Sequence, residues 1–447
     1  MKAVEDFETM AKKQRVLFFT DRIFWPANDG HKVVLTNYCK GLVEQYGCEV
    51  HALSFLEVGQ SADEALCVPS YIASVELAEK PAKQTVAINL VKSLVSGSKG
   101  GPIQCSIFKN SETEKHLRDV VERLRPSYVF IDLPRLSPYL ACIKDFPSKK
   151  VLYMEDIFSA RYSRQLNISG TLKETGGIAG KYGANLNGCL ARLASNRFLQ
   201  RIVLSIESRR MRGLELAAPA LYDYVILVSP IEASSLAEET GATNVIAVPL
   251  GVDCPYFISG PEPEPRKNVL SFLGDMRVSA NADSLRYIAG EVLPLIGPEV
   301  VLEVSGNVDE GLVNEFMCNP QVEFLGRVED TRETLRSTSA FLAPIAYGTG
   351  IKTKILEAMA IGVPIITNSI GNEGIGLVNG IEAFVSDNAA EQAVAVRKLF
   401  KDRDLAARLV SAARKKAIGV FDWDKSIANF SVLGLKRHGS MEEIVDA

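Results

Sequence analysis

The stretch Tyr347 to Gly374, YGTGIKTKILEAMAIGVPIITNSIGNEG, puts two lysines and a glutamate where a glycine-punctuated loop turns into an apolar helix. Gly348 and Gly350 let backbone N–H groups approach a ligand closely, with Thr349 and Ile351 as their neighbours in the turn. The helix that follows offers its positive end. Lys352 and Lys354 can add charge-assisted bonds to an anion. Glu357, about one helical turn on, is a two-oxygen acceptor matched to the adjacent hydroxyls of a ribose. Together these residue types suit a nucleoside diphosphate. The same spacing also suits a plain glycine loop before a surface helix, because short glycine motifs are weak signals.

Other candidates lie at the ends of apolar runs. Glu155 and Asp156 close the run KKVLYMEDI, with Ser159, Arg161 and Tyr162 just beyond. A carboxylate there can act as base on a hydroxyl, and a helix cap with a surface ion pair fits as well. His31 follows Gly30 in WPANDGHKVV; histidine's near-neutral pKa makes it a common acid or base, although a lone histidine is often structural. Glu373 sits between Gly371 and Gly374, in what is otherwise an ordinary strand-to-helix turn. Asp132 and Arg135 in FIDLPRL form a further, weaker pair.

The elements that position these residues are apolar runs alternating with helical stretches. RVLFFTD, CEVHALSFL, PSYVFIDLP, KKVLYMEDI, YDYVILVSP and NVIAVPLGVD read as strands buried on both faces, which implies a parallel sheet with helices on each side. CPYFISGPEPEPRKN breaks the pattern with prolines and mixed charge and reads as a linker. The pattern restarts at VLSFLGDM and continues through EVVLEVSGN, VEFLGRVED, SAFLAPIAYGTG, VPIITNSIG and EAFVSD. Two doubly wound α/β domains are expected: 1–254, then a linker 255–268, then 269–423. Strand carboxyl ends from both then face a cleft, where open α/β sheets bind ligands.

Among its 447 residues the chain carries a net charge of -4, which argues against a nucleic-acid binder. Eight scattered cysteines and four histidines, with no C-x-x-C pair, give no zinc pattern and suit a reduced, cytoplasmic protein. The opening residues do not read as a signal peptide, and no apolar run reaches the roughly 18 residues of a membrane span. Six arginines between Arg192 and Arg212, opposed only by Glu207, form either a basic surface for anionic lipid or an ordinary solvated helix face.

The segment GTGIKTKILEAMAIGVPIITNSIGNEGI resembles the donor-binding segment of GT-B glycosyltransferases of the group 1, family 4 type, LEAMAIGVPIITN most closely. SFLGDMRVSANADSLRYIAGEVLPLI resembles the first strand and helix of their donor domain, VEFLGRVED the turn beside the base, and FDWDKSIANF the crossover tail. The resemblance covers nearly all of Val269 to Phe430. It implies a GT-B fold whose first domain binds the acceptor and whose C-terminal helix, 424–447, packs back on that domain.

The implied activity is transfer of a sugar from a UDP- or GDP-linked donor to a carbohydrate or lipid-linked acceptor, without a metal or other cofactor and with retention at the anomeric carbon. By resemblance Gly30 opens space for the donor phosphate, Arg277 keeps half of a family Arg/Lys pair, Arg327 and Val328 face the base, and Glu373 and Gly374 face donor sugar or phosphate. Glu155, Asp156 and His31 stand on the acceptor side. Two departures matter: Thr349 replaces a family glutamate, and Asn281 replaces the family lysine, for which Lys352 and Lys354 are candidate substitutes. A non-catalytic GT-B binding module and a nucleotide-sugar epimerase are the competing readings. A peripheral location on the inner face of a membrane is expected if the arginine segment meets lipid.

Overall fold

The structure, a computed structural model, describes residues 13–27, 30–56, 62–96, 101–167, 197–260, 262–348 and 350–437. Two parallel sheets organise it. The first has seven strands: β1 Arg15–Thr20, β2 Glu49–Phe55, β3 Ser74–Ala78, β4 Tyr128–Asp132, β5 Lys149–Glu155, β6 Tyr224–Leu227 and β7 Val245–Ala247, in the order β3-β2-β1-β4-β5-β6-β7. The second has six: β8 Val269–Leu273, β9 Val301–Ser305, β10 Val322–Gly326, β11 Ala340–Ala343, β12 Ile365–Thr367 and β13 Phe384–Val385, in the order β10-β9-β8-β11-β12-β13. Every strand pairing among the described residues is parallel, as strands linked by helical crossovers require. The order reverses beside β1 and beside β8, so each sheet has a switch point where ligands are expected to bind.

Continuous apolar runs become the central strands because both faces are covered. Leu17, Val129, Leu152 and Val225 face one helical layer, while Val16, Phe18, Phe130 and Val151 face the other, all at 0–1% exposure. The strand β3 is absent from the sequence reading. Its residues SVELA are only half-buried at the sheet edge, so no apolar run marks it.

The chain returns from the second sheet to the first at residues 421–435. Val252 N–H donates to the Phe421 carbonyl at 2.7 Å, and the Trp423 ring presses on Gly251. The helix Trp423–Ala428 then packs on helix Gly30–Tyr46: the Tyr46 hydroxyl donates to the Ile427 carbonyl at 3.1 Å, and Tyr128 donates to the Leu433 carbonyl at 2.6 Å. This C-terminal crossing locks the two sheets onto a shared seam.

The helix Arg197–Leu221 carries the arginine-rich stretch; its earlier part, including Arg192, lies outside the described residues. Two buried carboxylates on it cap other helices. Glu207 accepts from the N–H groups of Ile103 (2.5 Å) and Gln104 (3.2 Å), which start the helix Ile103–Phe108 behind a proline that offers no side-chain cap. Glu215 accepts from Ser159 N–H at 2.9 Å near the start of the helix Phe158–Asn167. Orphan amides at a helix start need such acceptors when buried. The arginines are tied down too. Arg201 donates to the Leu166 carbonyl (2.8 Å), Arg210 to Ser93 (2.9 Å), and Arg212 pairs with Glu239, while Arg209 is exposed. Glu207 is therefore not a lone acid on a basic face but an internal capping group.

Candidate active site

The residues singled out at strand ends converge on the seam between the two sheets. On the first-domain side, the residue after β4 and the last residue of β5 are forced to positive φ: Leu133 at φ 68° and Glu155 at φ 68°. A positive φ on a branched or charged residue costs of order 1–3 kcal/mol and persists only where the surroundings hold it. Here a register shift between Tyr153 and Glu155 turns the end of β5, so Glu155 and Asp156 leave the sheet toward the seam.

His31 lies between two carboxylates. Its Nε2 is 3.1 Å from Asp132 and its Nδ1 is 3.4 Å from Glu155 Oε1, with the ring stacked on Tyr153. Burial opposes the imidazolium, but Asp132 and Glu155 outweigh it and hold the histidine well above its ordinary pKa. Burial likewise opposes ionisation of Glu155, yet His31, Arg161 and Arg135 pull that carboxyl down to about 2. Asp156 pairs with Arg161, and Asp21 with Arg135 at 3.1 Å. Ligand atoms of Asp21, His31 and Asp132 lie within 4.8 Å of one another. Arg135 pairs with Asp21, and the histidine pairs with Asp132.

On the second-domain side, Lys352 is the residue just before helix Thr353–Ile361 and Lys354 lies in that helix's first turn. Lys352 Nζ donates to the Gly350 carbonyl at 2.6 Å. Burial lowers its pKa to about 8, against the pull of Glu373, Asp156 and Glu232. Lys354 Nζ donates to Asn281 Oδ1 at 2.6 Å and lies 5.0 Å from the centre of the Phe272 ring. Burial lowers it to about 8 as well, opposed by Glu357. Burial in turn raises Glu357, opposed by Lys354. The Lys354 ammonium thus lies beside Asn281 and Gly274, just past the end of β8. Close packing of these strand ends needs glycine: at Gly306 (φ 125°) a Cβ would stand 1.9 Å from the Gly274 carbonyl oxygen.

The two sides touch. A Cβ on Gly350 would lie 3.6 Å from Asp156 Cβ and 3.7 Å from Val228. A Cβ on Gly374 would lie 2.9 Å from Ile351 and 3.3 Å from Ser229 Oγ. Gly30 is exposed at the start of its helix, where a Cβ would be 3.9 Å from Thr353 across the seam. Glu373 is held by a fork of two bonds from Arg164, each 2.6 Å, and the same guanidinium donates to the Gly348 carbonyl.

Not every candidate joins this cluster. Arg277 is exposed and folds onto Asp275, with its Nε 2.9 Å from Oδ1. Arg327 is exposed beyond β10 with half-buried Val328 next to it. Thr349 lies outside the described residues.

Two residues of the cluster escaped the sequence reading. Arg164 sits on helix Phe158–Asn167, and its partner is 209 residues away, so no local signal announces the pair. Glu232 begins the helix Pro230–Thr240, where its N–H donates to Ser229 Oγ at 3.3 Å. The pattern Ser-x-x-Glu at the end of a strand was visible and reads as a capping box. The structure adds that the Glu232 side chain is buried beside Asp156 and Glu373. Burial and those two charges push its pKa up to about 8.

Comparison with known proteins bears on the fold. Residues 267–402 match the family described as glycosyl transferases group 1. An uncharacterised 44.6 kDa protein in the cps region of Klebsiella pneumoniae is 25% identical over 138 residues, 27% of this chain and 34% of that protein. The chain therefore spans about a third of that relative. Among solved structures, Anabaena HepE in complex with UDP superposes with a TM-score of 0.59 at 12% identity, covering 94% of this chain and 99% of HepE. Sucrose-phosphate synthase from Thermosynechococcus elongatus gives 0.62 at 13%, covering 94% and 98%. S. aureus TarM gives 0.62 at 10%, covering 94% and 99%. The chain has the GT-B fold, two Rossmann-like domains facing a cleft, and residues 267–402 of its second domain are similar to the glycosyl transferases group 1 family.

Proposed function

We propose that this protein transfers a sugar from a nucleoside-diphosphate donor, UDP- or GDP-linked, to a carbohydrate or lipid-linked acceptor bound in the cleft, as a step in glycan or polysaccharide assembly. The observation that carries this reading is the meeting of the lysine-bearing glycine loop with the carboxylates that end β5. A Cβ on Gly350 would lie 3.6 Å from Asp156 Cβ, so the loop backbone passes close to that carboxylate. Diphosphate on Lys352, Lys354 and the loop amides leaves its sugar facing Asp156 and Glu155, with the ribose on Glu357 and the base toward Arg327 and Val328. The negative charge that develops on the departing diphosphate is met by fixed cations and amides in a half-dry cleft, which is the strongest kind of catalytic stabilisation a protein offers. That HepE was solved with UDP, UDP-glucose and glucose makes uridine nucleotides the first to try.

The charge states refine the roles. Glu155, held near a pKa of about 2, stays ionised, and His31 stays protonated, so neither is set to take a proton from an acceptor hydroxyl. In this reading they fix the field at the sugar: Glu155 accepts a hydroxyl or faces positive charge at the anomeric carbon, and His31 holds Glu155 in its left-handed turn. This suits a retaining reaction in which the leaving phosphate itself receives the acceptor's proton, with Glu373 and Gly374 lining the sugar side.

A melting screen with nucleoside diphosphates and sugar nucleotides tests the reading. Ligand at one hundred times its dissociation constant stabilises the folded state by about 2.7 kcal/mol. A rise in melting temperature with UDP or GDP that the bare nucleosides do not match supports a donor site. No shift with any nucleoside diphosphate at millimolar concentration overturns it, and binding without release of diphosphate from any sugar nucleotide favours the non-catalytic binding module.

A lipid-linked acceptor implies contact with a membrane surface. Among the described residues no helix is long and apolar enough to cross a membrane. The helix Lys83–Val95 exposes Ile88 (54%), Val91 (60%) and Val95 (82%) on one face, and Arg210 ties it to the arginine-bearing helix. That face, with Lys92 and Arg209 nearby in the same two helices, is the proposed peripheral contact. Sedimentation with vesicles is expected to show binding that rises with anionic lipid and falls with salt. Equal binding to neutral and anionic vesicles contradicts the electrostatic part, and no binding contradicts the contact itself.

A further inference from the structure

We propose that Tyr162, flanked by Arg135 and Arg161, forms an acceptor subsite for a phosphate group on the first-domain side of the cleft, with Gln104 as the positioning residue that aims the Tyr162 hydroxyl. The inference rests on the transfer reading above and names the chemical class of the acceptor. Three elements build the subsite. The helix Phe158–Asn167 carries Arg161 and Tyr162 one turn past Phe158, and the Tyr162 and Phe158 rings meet edge to face at 6.3 Å. The helix Ile103–Phe108 carries Gln104 and Phe108, four residues apart and hence on one face. Gln104 Nε2 donates to the Tyr162 hydroxyl at 2.9 Å, and the Phe108 ring lies under the Arg135 guanidinium, its centre 5.8 Å away. Arg135 itself comes from the turn after β4. One helix face therefore holds Tyr162 at one end and Arg135 at the other.

A buried network aims the hydroxyl. Gln104 is 4% exposed and Glu207 is fully buried. Glu207 accepts from the backbone N–H groups of Ile103 and Gln104, and it accepts a further bond from the Gln104 side-chain amide at 3.2 Å. That turns the amide nitrogen, rather than its oxygen, toward Tyr162, so the phenol oxygen accepts and its own proton points away from Gln104. Burial and Glu207 push the Tyr162 pKa up to about 12, against the pull of Arg135 and Arg161, so the half-buried phenol stays a donor. The two guanidiniums keep their carboxylate partners, Arg135 on Asp21 at 3.1 Å and Arg161 on Asp156, while their side chains remain 19% and 41% exposed. A guanidinium spreads five N–H donors around one plane, so a carboxylate on one edge and a phosphate on another are compatible. Stacking fixes those planes: Arg161 lies 4.8 Å from the centre of the Phe158 ring. Two planar forks and one O–H donor suit the several oxygens of a phosphate. Asp156, which Arg161 holds, is the carboxylate that the donor loop passes, so a phosphate held here lies beside the place proposed for the donor sugar.

Calorimetry on protein loaded with UDP or GDP tests the inference, because the nucleotide fills the donor diphosphate site and leaves phosphate probes the acceptor side. The probes are methyl phosphate, octyl phosphate and, as an uncharged match, trimethyl phosphate. The proteins are wild type, Tyr162→Phe, Arg161→Gln, Gln104→Met and Gln104→Met/Tyr162→Phe, each checked for folding by its melting curve. Wild type is expected to bind both charged phosphates and not trimethyl phosphate. Tyr162→Phe should weaken them about threefold to tenfold, the loss of one hydrogen bond, and Arg161→Gln about tenfold to a hundredfold, the loss of a charged one. Gln104→Met should match Tyr162→Phe, and the double variant should be no weaker than either, because the two residues act as one unit. Additive losses would overturn the positioning role of Gln104. Octyl phosphate binding more tightly than methyl phosphate supports a lipid headgroup as the source of the phosphate, and equal binding supports a soluble phosphate ester. The inference is wrong if loaded wild type binds neither phosphate, if trimethyl phosphate binds as tightly, or if folded Tyr162→Phe and Arg161→Gln bind phosphate as wild type does. A wild type that takes up neither UDP nor GDP removes the donor-site reading, a different failure, and the same probes on the unloaded proteins then decide the subsite alone.

Discussion

Glu232→Gln is expected to raise the melting temperature of this protein by several degrees at pH 8 and by little at pH 5. The cause is a carboxyl buried among other carboxylates. Burial, Asp156 and Glu373 push the Glu232 pKa up to about 8, from an unperturbed 4.5. Below pH 4.5 both folded and unfolded chains carry the proton, and Glu232 has no effect on the balance. Between pH 4.5 and 8 the unfolded chain releases its proton and gains solvation, while the folded one cannot. Stability is therefore lost as pH rises through that window, and the loss is complete above pH 8. At about 1.4 kcal/mol per unit, a shift of this size amounts to roughly 3 kcal/mol after allowance for coupling to Asp156, Glu373 and Lys352. Glutamine keeps the shape and can still accept from the Ile157 N–H that Glu232 uses, but it has no proton to lose. Melts at pH 5 and pH 8 separate the cases. A gain that is the same at both pH values, or a loss at pH 8, contradicts this electrostatic account and leaves Glu232 as a simple capping residue.

The second large effect concerns Lys354. Lys354→Ala should weaken nucleoside diphosphate about tenfold to a hundredfold, the equivalent of roughly 1.5–3 kcal/mol for a charge-assisted bond, and leave the bare nucleoside almost untouched. Its ammonium is buried between Asn281 and the Phe272 ring, with a pKa lowered to about 8. A lysine's ordinary 10.5 is the unfolded reference, so holding the charge costs folding free energy below pH 8, and that cost fades as pH rises from 8 toward 10.5. A buried charge that lowers stability and lies in a cleft points to a functional role. Two consequences follow from the sign. Lys354→Met should not lower the melting temperature at pH 7, although it removes the cation. Wild-type affinity for nucleoside diphosphate should fall between pH 7 and pH 9 as Lys354 and Lys352 discharge, while nucleoside affinity stays flat. A structural lysine would show the reverse: a lower melting temperature and unchanged binding.

Much of this site was legible in the sequence because it lies on regular elements. The run KKVLYMEDI is apolar up to Met154, so its end, and hence the place of Glu155 and Asp156, follows from burial alone. The glycine loop, the lysines and Glu357 are close in sequence, and a strand-loop-helix unit brings them together without long-range help. The sequence named Lys352 and Lys354 together as candidates to replace the lysine missing at Asn281, and of the two it is Lys354 that donates to Asn281 Oδ1, at 2.6 Å. What escaped depends on contacts between distant segments. Asp132, Glu155 and His31 appear in the sequence as separate candidates, and only the adjacency of β4 and β5 makes them one charge triad. Arg164 was missed because its partner lies on the other domain, and Glu232 because a capping box explains it fully until the facing wall is known. The basic run before Arg212 was read as a surface, whereas its helix turns Glu207 and Glu215 inward to cap two neighbours. Charge counts along a sequence do not say which side chains a long helix buries.

The central claim is that the cleft holds a nucleoside diphosphate with its ribose on Glu357. Glu357 lies one turn into the helix behind the donor loop, buried enough to raise its carboxyl and countered by Lys354. Titration calorimetry of wild type and Glu357→Gln with uridine, guanosine and their diphosphates tests it most directly. The account predicts that wild type binds one diphosphate more tightly than its nucleoside, and that Glu357→Gln weakens both by about tenfold to a hundredfold. A folded Glu357→Gln protein that binds nucleoside and diphosphate as wild type does would contradict it.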